Sequence, residues 1–387
     1  MTVVILAPHL EYPPRNGGDI YIERLGKYLS RPRDEVVILA VRTLTYYANG
    51  IMIRQEQYQN SFRSKTWSAI RAVAMGSHYL SEKFLTPTYR AKVFDVISNY
   101  PNSLVVCSYI LTAKLLDKSQ TPAVILTQND EISWFQNLRC FSKNPFQKLT
   151  AFFSERWVTR FLREHEQDYI YAHITESDYA GYKQLIPKHR ALVVPAGVDI
   201  EPLPLTPAWD GKTRLLFCGS LSVKMNYDAL IFFKERFWRL IKNQMGEQVE
   251  MLVAGSLPTS AVQQLCREQQ WKLHPDLPNE ALREIFGQAN FSVLPFPYTT
   301  GAKLKLLNSL AAGLPVMATT NMNTLPEQDF LPNLYSDDPQ TWLEHLKKFS
   351  QDSLRPESRA SCQKYASRYG WETVVGKMDK DLEQMRL

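Results

Sequence analysis

The chain has 387 residues, 44% apolar and 22% charged, which excludes a disordered or low-complexity protein and allows about two domain cores. Its net charge of +6 suits anionic substrates or an anionic membrane surface, and it is far from the clustered charge of a dedicated nucleic-acid binder. The five cysteines, Cys107, Cys140, Cys218, Cys266 and Cys362, are odd in number and include no Cys-x-x-Cys pair, which excludes a disulfide framework and a zinc site and fits a reducing cytoplasm.

In chain order, Met1 to Ala7 is apolar, carries no positive leader and stops at Pro8, so it reads as a first strand rather than a signal peptide. Short apolar runs predict buried parallel strands at Val3 to Leu6, Val36 to Val41, Leu104 to Cys107, Val124 to Thr127 and Leu192 to Val194. Pro195, Pro202, Pro204 and Pro207, with Gly211, read as a linker. A second series of strands is expected at Arg214 to Cys218, Glu250 to Val253, Phe291 to Leu294 and Pro315 to Ala318. Strands alternating with helices twice over predict two doubly wound α/β domains. No apolar run is long enough to span a bilayer, and no short-period repeat occurs.

Each half opens with a strand and a turn of small residues. In the first half, His9 and then Pro13, Pro14, Arg15, Asn16, Gly17 and Gly18 lead into a helix with Ile22, Leu25 and Leu29 at helical spacing. The paired glycines serve either a plain turn or close approach of a ligand to backbone. In the second half, Gly219, Ser220 and Lys224 lead to Asn226, read as the N-cap of a helix whose core face is Leu230, Phe233, Phe237 and Leu240.

The stretch from Asn290 to Thr320 is the most informative. Phe291 to Leu294 is an apolar strand ended by Pro295 and Pro297. Thr299, Thr300, Gly301 and Ala302 then lead into a helix bearing Leu304, Leu307 and Ala311 on one side, which Gly313 and Pro315 terminate. Its first-turn amides lack intrahelical partners and the dipole there is positive. Lys303 and Lys305 add two full charges, so a diphosphate can be held without metal. Lys305 and Asn308 are expected to share the polar face.

These segments resemble the retaining glycosyltransferases of the GT-B fold, similar to glycosyltransferase family 4. Tyr12 to Asp19 resembles the family's glycine-rich loop, Thr127 to Glu131 its T-H-N-x-E segment, Ile174 to Asp178 its S-E-x-D turn, and Val194 to Asp199 its V-P-x-G-V-D segment. Phe217 to Ser220 resembles its F-x-G-S segment, and Gly301 to Val316 its G-x-K-x-K-x-x-E-x-L-A-x-G-x-P-V pattern. The chain departs from the family at four places: the two glutamates fall at Thr300 and Asn308, the first-domain histidine at Gln128, and the arginine of the second-domain loop at Ser220.

The resemblance implies two Rossmann-like doubly wound domains facing a central cleft. An acceptor-binding domain would span 1–199, a nucleotide-sugar-binding domain 200–370, and a terminal helix 371–387 would cross back to the first domain. It implies a metal-independent, retaining transfer of a sugar from a nucleotide diphosphate sugar to a hydroxyl of a glycan, glycolipid or other glycoconjugate, as in polysaccharide biosynthesis, with no separate cofactor. Lys303 and Lys224 are assigned to the leaving diphosphate. Gly17, Gly18, Gly219, Ser220, Thr300, Gly301, Ala302, Lys305 and Asn308 are assigned to the donor, and His9, Arg15, Gln128 and Asn129 to the acceptor or donor-sugar side. The alternatives are a non-catalytic GT-B subunit that binds a partner or glycan, and a GT-B nucleotide-sugar epimerase. Neither first-strand loop carries the Gly-x-Gly-x-x-Gly of a nicotinamide dehydrogenase.

Two further signals stand apart. Asp379, Lys380 and Asp381 spell D-x-D, but within a charged terminal helix that reads as a solvated face. Trp67, Tyr79, Phe84 and Tyr89 interleave with Arg63, Lys65, Arg71, Lys83, Arg90 and Lys92, and Phe146, Phe152, Phe153, Trp157 and Phe161 interleave with Lys148, Arg156, Arg160 and Arg163. Such spacing suits core helices with snorkelling cations, or an amphipathic surface resting on anionic lipid. The expected location is cytoplasmic, with the inner membrane face as a peripheral address; no nucleic-acid partner is expected.

Overall fold

The computed structural model describes residues 2–10, 12, 14, 17–33, 35–61, 63–116, 122–127, 130–142, 144–298, 304–323 and 332–385. They form two compact units, one of Met1–Ala196 with Val374–Leu387 and one of Gly197–Thr373.

The first unit contains β1 (Val3–Leu6), α1 (Gly17–Leu29), β2 (Val36–Leu39), β3 (Thr43–Ala48), β4 (Ile51–Gln57), α2 (Lys65–Met75), α3 (Tyr79–Phe84), α4 (Pro87–Asn99), β5 (Leu104–Ser108), α5 (Ile110–Ala113), β6 (Ala123–Thr127), α6 (Glu131–Phe141), α7 (Pro145–Glu164), β7 (Ile170–His173), α8 (Glu176–Leu185) and β8 (Arg190–Val193). The sheet runs β4-β3-β2-β1-β5-β6-β7-β8, parallel except for the antiparallel β2-β3-β4 edge. Val3 to Leu6 are completely buried, as a strand covered on both faces requires. The β3–β4 hairpin lies beyond the predicted strands, because every β4 residue is exposed and Ile-Met-Ile-Arg-Gln-Glu-Gln does not alternate. β8 is the other edge strand: Leu192 within it and Val194 just after it are buried as expected, while Arg190 is exposed and Ala191 and Val193 are partly accessible.

The second unit contains β9 (Thr213–Cys218), α9 (Lys224–Phe233), α10 (Arg239–Met245), β10 (Val249–Gly255), α11 (Ser260–Gln269), β11 (Lys272–Pro275), α12 (Asn279–Gln288), β12 (Phe291–Leu294), α13 (Leu304–Ala311), β13 (Val316–Ala318), β14 (Leu334–Tyr335), α14 (Pro339–Phe349), α15 (Pro356–Ser367) and the start of α16 (Trp371–Gln384). Its sheet, β11-β10-β9-β12-β13-β14, is wholly parallel, and the strand order reverses between β9 and β12. In open parallel sheets a ligand sits outside the carboxyl ends of the strands at such a reversal.

Three local expectations are corrected. Asn226 is not the N-cap: Val223 is, and Asn226 lies in the first turn of α9, buried. Leu230, Phe233 and Phe237 face the core, but a π-helical turn at Lys234–Trp238 inserts a residue, so Ile241 rather than Leu240 takes the next fully buried position. The Pro-rich stretch is not a free tether. Pro202 O accepts from Arg283 (2.7 Å), Glu201 O accepts from Gln363 (2.7 Å), and Leu205 O lies where a side chain at Gly287 would stand.

Asp379 is likewise not a solvated charge. It accepts from both terminal nitrogens of Arg33 (3.1 and 2.5 Å), and Arg190 donates to Met385 O (2.8 Å), so the end of α16 is fastened to the first unit.

Candidate functional site

The second unit builds its site where the sheet order reverses. β9 ends at Cys218, and the turn that follows is tied back to β10: Gly219 N donates to Ala254 O (3.1 Å) and Leu221 N to Ser256 O (2.7 Å). Gly255 leaves room for this turn, since a Cβ there would stand 1.7 Å from Gly219 O. Asn226 braces the other side, its Nδ2 donating to Ser220 O (2.7 Å). Its buried Oδ1 has no hydrogen-bond partner among the described residues.

Lys305 comes to the same turn from the start of α13. A Cβ on Gly219 would lie 2.8 Å from Lys305 Cε and 3.2 Å from Asn226 Nδ2, so the aliphatic stem of the lysine rests on the bare glycine. Its ammonium stands 5.4 Å from the Phe296 ring centroid. The root of the side chain is fixed by Ser309, whose Oγ lies 2.8 Å from both Lys305 O and Ser292 Oγ and so holds α13 against β12. Burial lowers the Lys305 ammonium below the usual lysine range, with the Cys218 thiol pulling the other way; burial also pushes that thiol up to about 11. Lys305 and Asn308 stand three residues apart on α13, Asn308 exposed and Lys305 half-buried with its stem on the Gly219 turn.

Lys224 does not join this group. It opens α9 with its side chain 84% exposed, and its ammonium is held by Asp228 one turn on at 2.6 Å, a carboxylate that also accepts from Tyr298 OH (2.7 Å). The Ser220 hydroxyl is 3.1 Å from that of Ser222, on the outer side of the turn. Thr300, Gly301, Ala302 and Lys303, assigned to the donor from sequence, lie outside the described residues.

In the first unit, α1 starts at Gly17, directly after the loop that follows β1. Gly17 is exposed and Gly18 half-buried. His9 Nδ1 meets Asp19 Oδ1 at 3.3 Å, a pairing that fixes the ring across the helix start. Arg15, Gln128 and Asn129 lie outside the described residues. Two groups nearby escaped the site assignment. Glu131, at the start of α6, is buried and accepts the Ile110 N–H (3.2 Å); burial pushes its carboxyl up to about 7 against the pull of that hydrogen bond. His173, at the end of β7, joins Thr127 Oγ1 (2.8 Å) to His189 Nε2 (3.1 Å), and burial pushes it down to about 3. The only sequence signals were Glu131 as the last letter of the Thr127 to Glu131 segment and a histidine ending an otherwise apolar run.

Residues 212–352 match the sequence family described as glycosyl transferases group 1. No match to a curated protein sequence was found. Over nearly its whole length the chain is similar in structure to HepE of Anabaena, solved in complex with UDP and glucose: TM-score 0.61, 13% identity, 99% of this chain and 100% of that one. It is similar to WaaG, a glycosyltransferase involved in lipopolysaccharide biosynthesis, with TM-score 0.57 and 14% identity over 97% of this chain and 98% of that one. The catalytic domain of starch synthase IV from Arabidopsis thaliana, bound to ADP and acarbose, gives TM-score 0.59 and 12% identity over 99% and 98%. The chain therefore has the GT-B fold. The segment similar to glycosyl transferases group 1 makes up most of the second unit.

Proposed function

We propose that this protein is a glycosyltransferase that moves a sugar from a nucleotide diphosphate sugar to a hydroxyl of a glycan, glycolipid or other glycoconjugate, with retention at the anomeric carbon and without metal. One observation carries the reading: a half-buried lysine, Lys305, lies over the bare Gly219 turn where the β9–β12 order reverses. An ammonium held out of water beside a close-approach glycine is built to receive an anion, since desolvation strengthens its field at the ligand. HepE, solved with UDP-glucose, and starch synthase IV, solved with ADP, support a nucleotide at this fold.

In this reaction the bond from C1 to the diphosphate oxygen breaks and the acceptor oxygen bonds C1 on the same face. The acceptor proton leaves with the diphosphate. Lys305, with Lys303, stabilises the charge that develops on the leaving group, an interaction stronger in the transition state than in the ground state. The Gly219 turn lets the diphosphate approach backbone. Asn308 offers an amide to the nucleotide ribose in place of a carboxylate, a bond roughly half as strong as a charge-assisted one. His9, Gln128 and Asn129 serve the acceptor side. Lys224, engaged by Asp228, acts only if the donor draws it away.

The test is incubation of chelator-treated protein with UDP-, GDP-, dTDP-, CDP- and ADP-sugars and glycan acceptors, with donor consumption and product anomer followed by proton NMR. The reading expects transfer from one donor, with its anomeric configuration kept and no loss in chelator. An inverted product or dependence on added metal would overturn the mechanism. Diphosphate binding without turnover would favour the non-catalytic subunit, a reading that the pairing of Lys224 with Asp228 and the amide at Asn308 also suit.

A further inference from the structure

Helix α2 of the first unit buries the wrong residues for a water-facing layer, and the neighbouring starts of α6 and α7 leave large apolar side chains outside. α2 is capped at both ends, by Ser64 accepting from Trp67 N and by the left-handed Gly76, so its phase is well fixed. Yet its buried positions are Ser68, Ala69 and Ala72, while Trp67, Ile70 and Met75 are 53%, 48% and 63% exposed. α7 packs against both α2 and α6, and its core side holds Ala151 and Ser154 in its first half and Trp157, Val158, Phe161 and Leu162 in its second. Phe146 and Leu149 at its start and Trp134 on α6 are each more than 40% exposed. An ordinary amphipathic helix buries its bulky apolar residues and exposes its small ones. Six large apolar side chains turned outward on three packed helices form a surface that water penalises.

The charge on this surface is mostly positive, although Asp130 caps α6 one turn before Trp134. No Asp or Glu occurs between Glu56 and Glu82, nor between Glu131 and Glu155, while those intervals hold Arg63, Lys65, Arg71, Arg139, Lys143 and Lys148. The acids that bound the intervals are used internally. Glu82 takes Arg63 and Arg71 (both 3.0 Å), Glu155 takes Arg139 (3.0 Å), and Glu131 is buried. Lys65 and Lys148, both exposed, stand beside Trp67 and Leu149 in sequence.

We propose that this face is a docking surface for an anionic lipid bilayer. Tryptophan and phenylalanine suit the headgroup boundary, where a large ring meets both acyl chain and water, and lysines beside them meet lipid phosphates. An excess of basic side chains favours anionic over zwitterionic lipid, and each lysine near such a membrane strengthens binding severalfold. No described helix is long and apolar enough to cross a membrane, so the contact is peripheral. The inference does not depend on the catalytic reading, because lipid binding is measured without donor or acceptor.

The experiment is flotation of the full chain with vesicles of phosphatidylcholine alone and of phosphatidylcholine with phosphatidylglycerol, at low and high salt. Wild type should float with the anionic vesicles and stay down with the neutral ones. Trp134→Ser with Phe146→Ser should weaken flotation about tenfold or more with the thermal midpoint unchanged, because both side chains are exposed. Lys65→Glu with Lys148→Glu should remove most of the salt dependence. Wild type that remains unbound to anionic vesicles at low salt would overturn the proposal, as would variants that float like wild type. A concentration-dependent dimer abolished by Trp134→Ser with Phe146→Ser, in a protein that ignores vesicles, would assign the face to a second copy of the chain instead.

Discussion

Replacing Gly219 by alanine puts the diphosphate assignment under direct strain. Gly219 does not have a positive φ, so alanine is allowed by the backbone. The new methyl would stand 2.8 Å from Lys305 Cε and 3.2 Å from Asn226 Nδ2. Carbon atoms settle at about 3.5–4.0 Å, so Cε must retreat by roughly 1 Å. The turn cannot yield instead, because Gly219 O already occupies the space that a side chain on Gly255 would need. A lysine stem moves cheaply, so unfolding stability should change by less than about 1 kcal/mol. The ammonium, however, is carried off the ligand. Loss of a hydrogen bond to a charged group costs about 1.5–3 kcal/mol, which predicts roughly 10- to 100-fold weaker diphosphate binding. Isothermal titration of the preferred nucleoside diphosphate, in chelator, reads the affinity, and urea unfolding reads the fold. Unchanged affinity in a folded Gly219→Ala protein would refute the reasoning.

Three other outcomes follow from the structure. Glu131 is raised by burial from 4.5 to about 7, so the folded protein holds a proton that the unfolded chain releases between those values, and stability falls as pH rises through that window. Glu131→Gln keeps an acceptor for Ile110 N–H and should add on the order of 2–3 kcal/mol at pH 8 and almost nothing below pH 4.5 in urea unfolding. His78 runs the other way. Burial, with a smaller push from Lys114, lowers it from 6.5 to about 3, so the unfolded chain binds the extra proton and stability declines as pH falls from 6.5 toward 3. His78→Asn, which retains a side-chain acceptor for Ser81 N, should show a shallower decline by the same measurement. Gly197→Ala places a methyl 2.3 Å from the Trp371 ring, in a segment pinned by Val198 N to Tyr369 O and Trp371 N to Val198 O, and should cost about 1–3 kcal/mol, visible as a lower thermal midpoint.

The buried parallel strands were legible because burial on both faces writes an uninterrupted apolar run: Val3–Leu6 and Phe291–Leu294 have the predicted bounds. Two strands that escaped do not carry that signature: β4 is exposed on both faces and β11 is an edge strand reading Lys-Leu-His-Pro. β7 does carry a short apolar run, Ile-Tyr-Ala, closed by a histidine. Helix phase was legible as far as Phe237 and not beyond, because no residue type announces a π turn.

In the site, the glycine turn and the lysine-bearing helix could be read from residue types and spacing. The sequence could not rank the lysines, since that depends on which side chain folds over Gly219. For Lys224 the sequence does carry a signal. Asp228 lies four residues on, the spacing at which a helix pairs opposite charges. Asn226 was misread because a polar residue at a helix start looks like a cap whether its side chain turns back to the helix or inward to a neighbouring turn.

The most direct test of the central claim is a thermal-shift screen of UDP, GDP, dTDP, CDP and ADP, with chelator present, on wild type and on Lys305→Met. Ligand at about a hundred times its dissociation constant stabilises by roughly 2.7 kcal/mol, enough to raise the midpoint by a few degrees. The account predicts a shift for one diphosphate that is lost in Lys305→Met. No shift for any of the five, or a shift that Lys305→Met leaves intact, would contradict it.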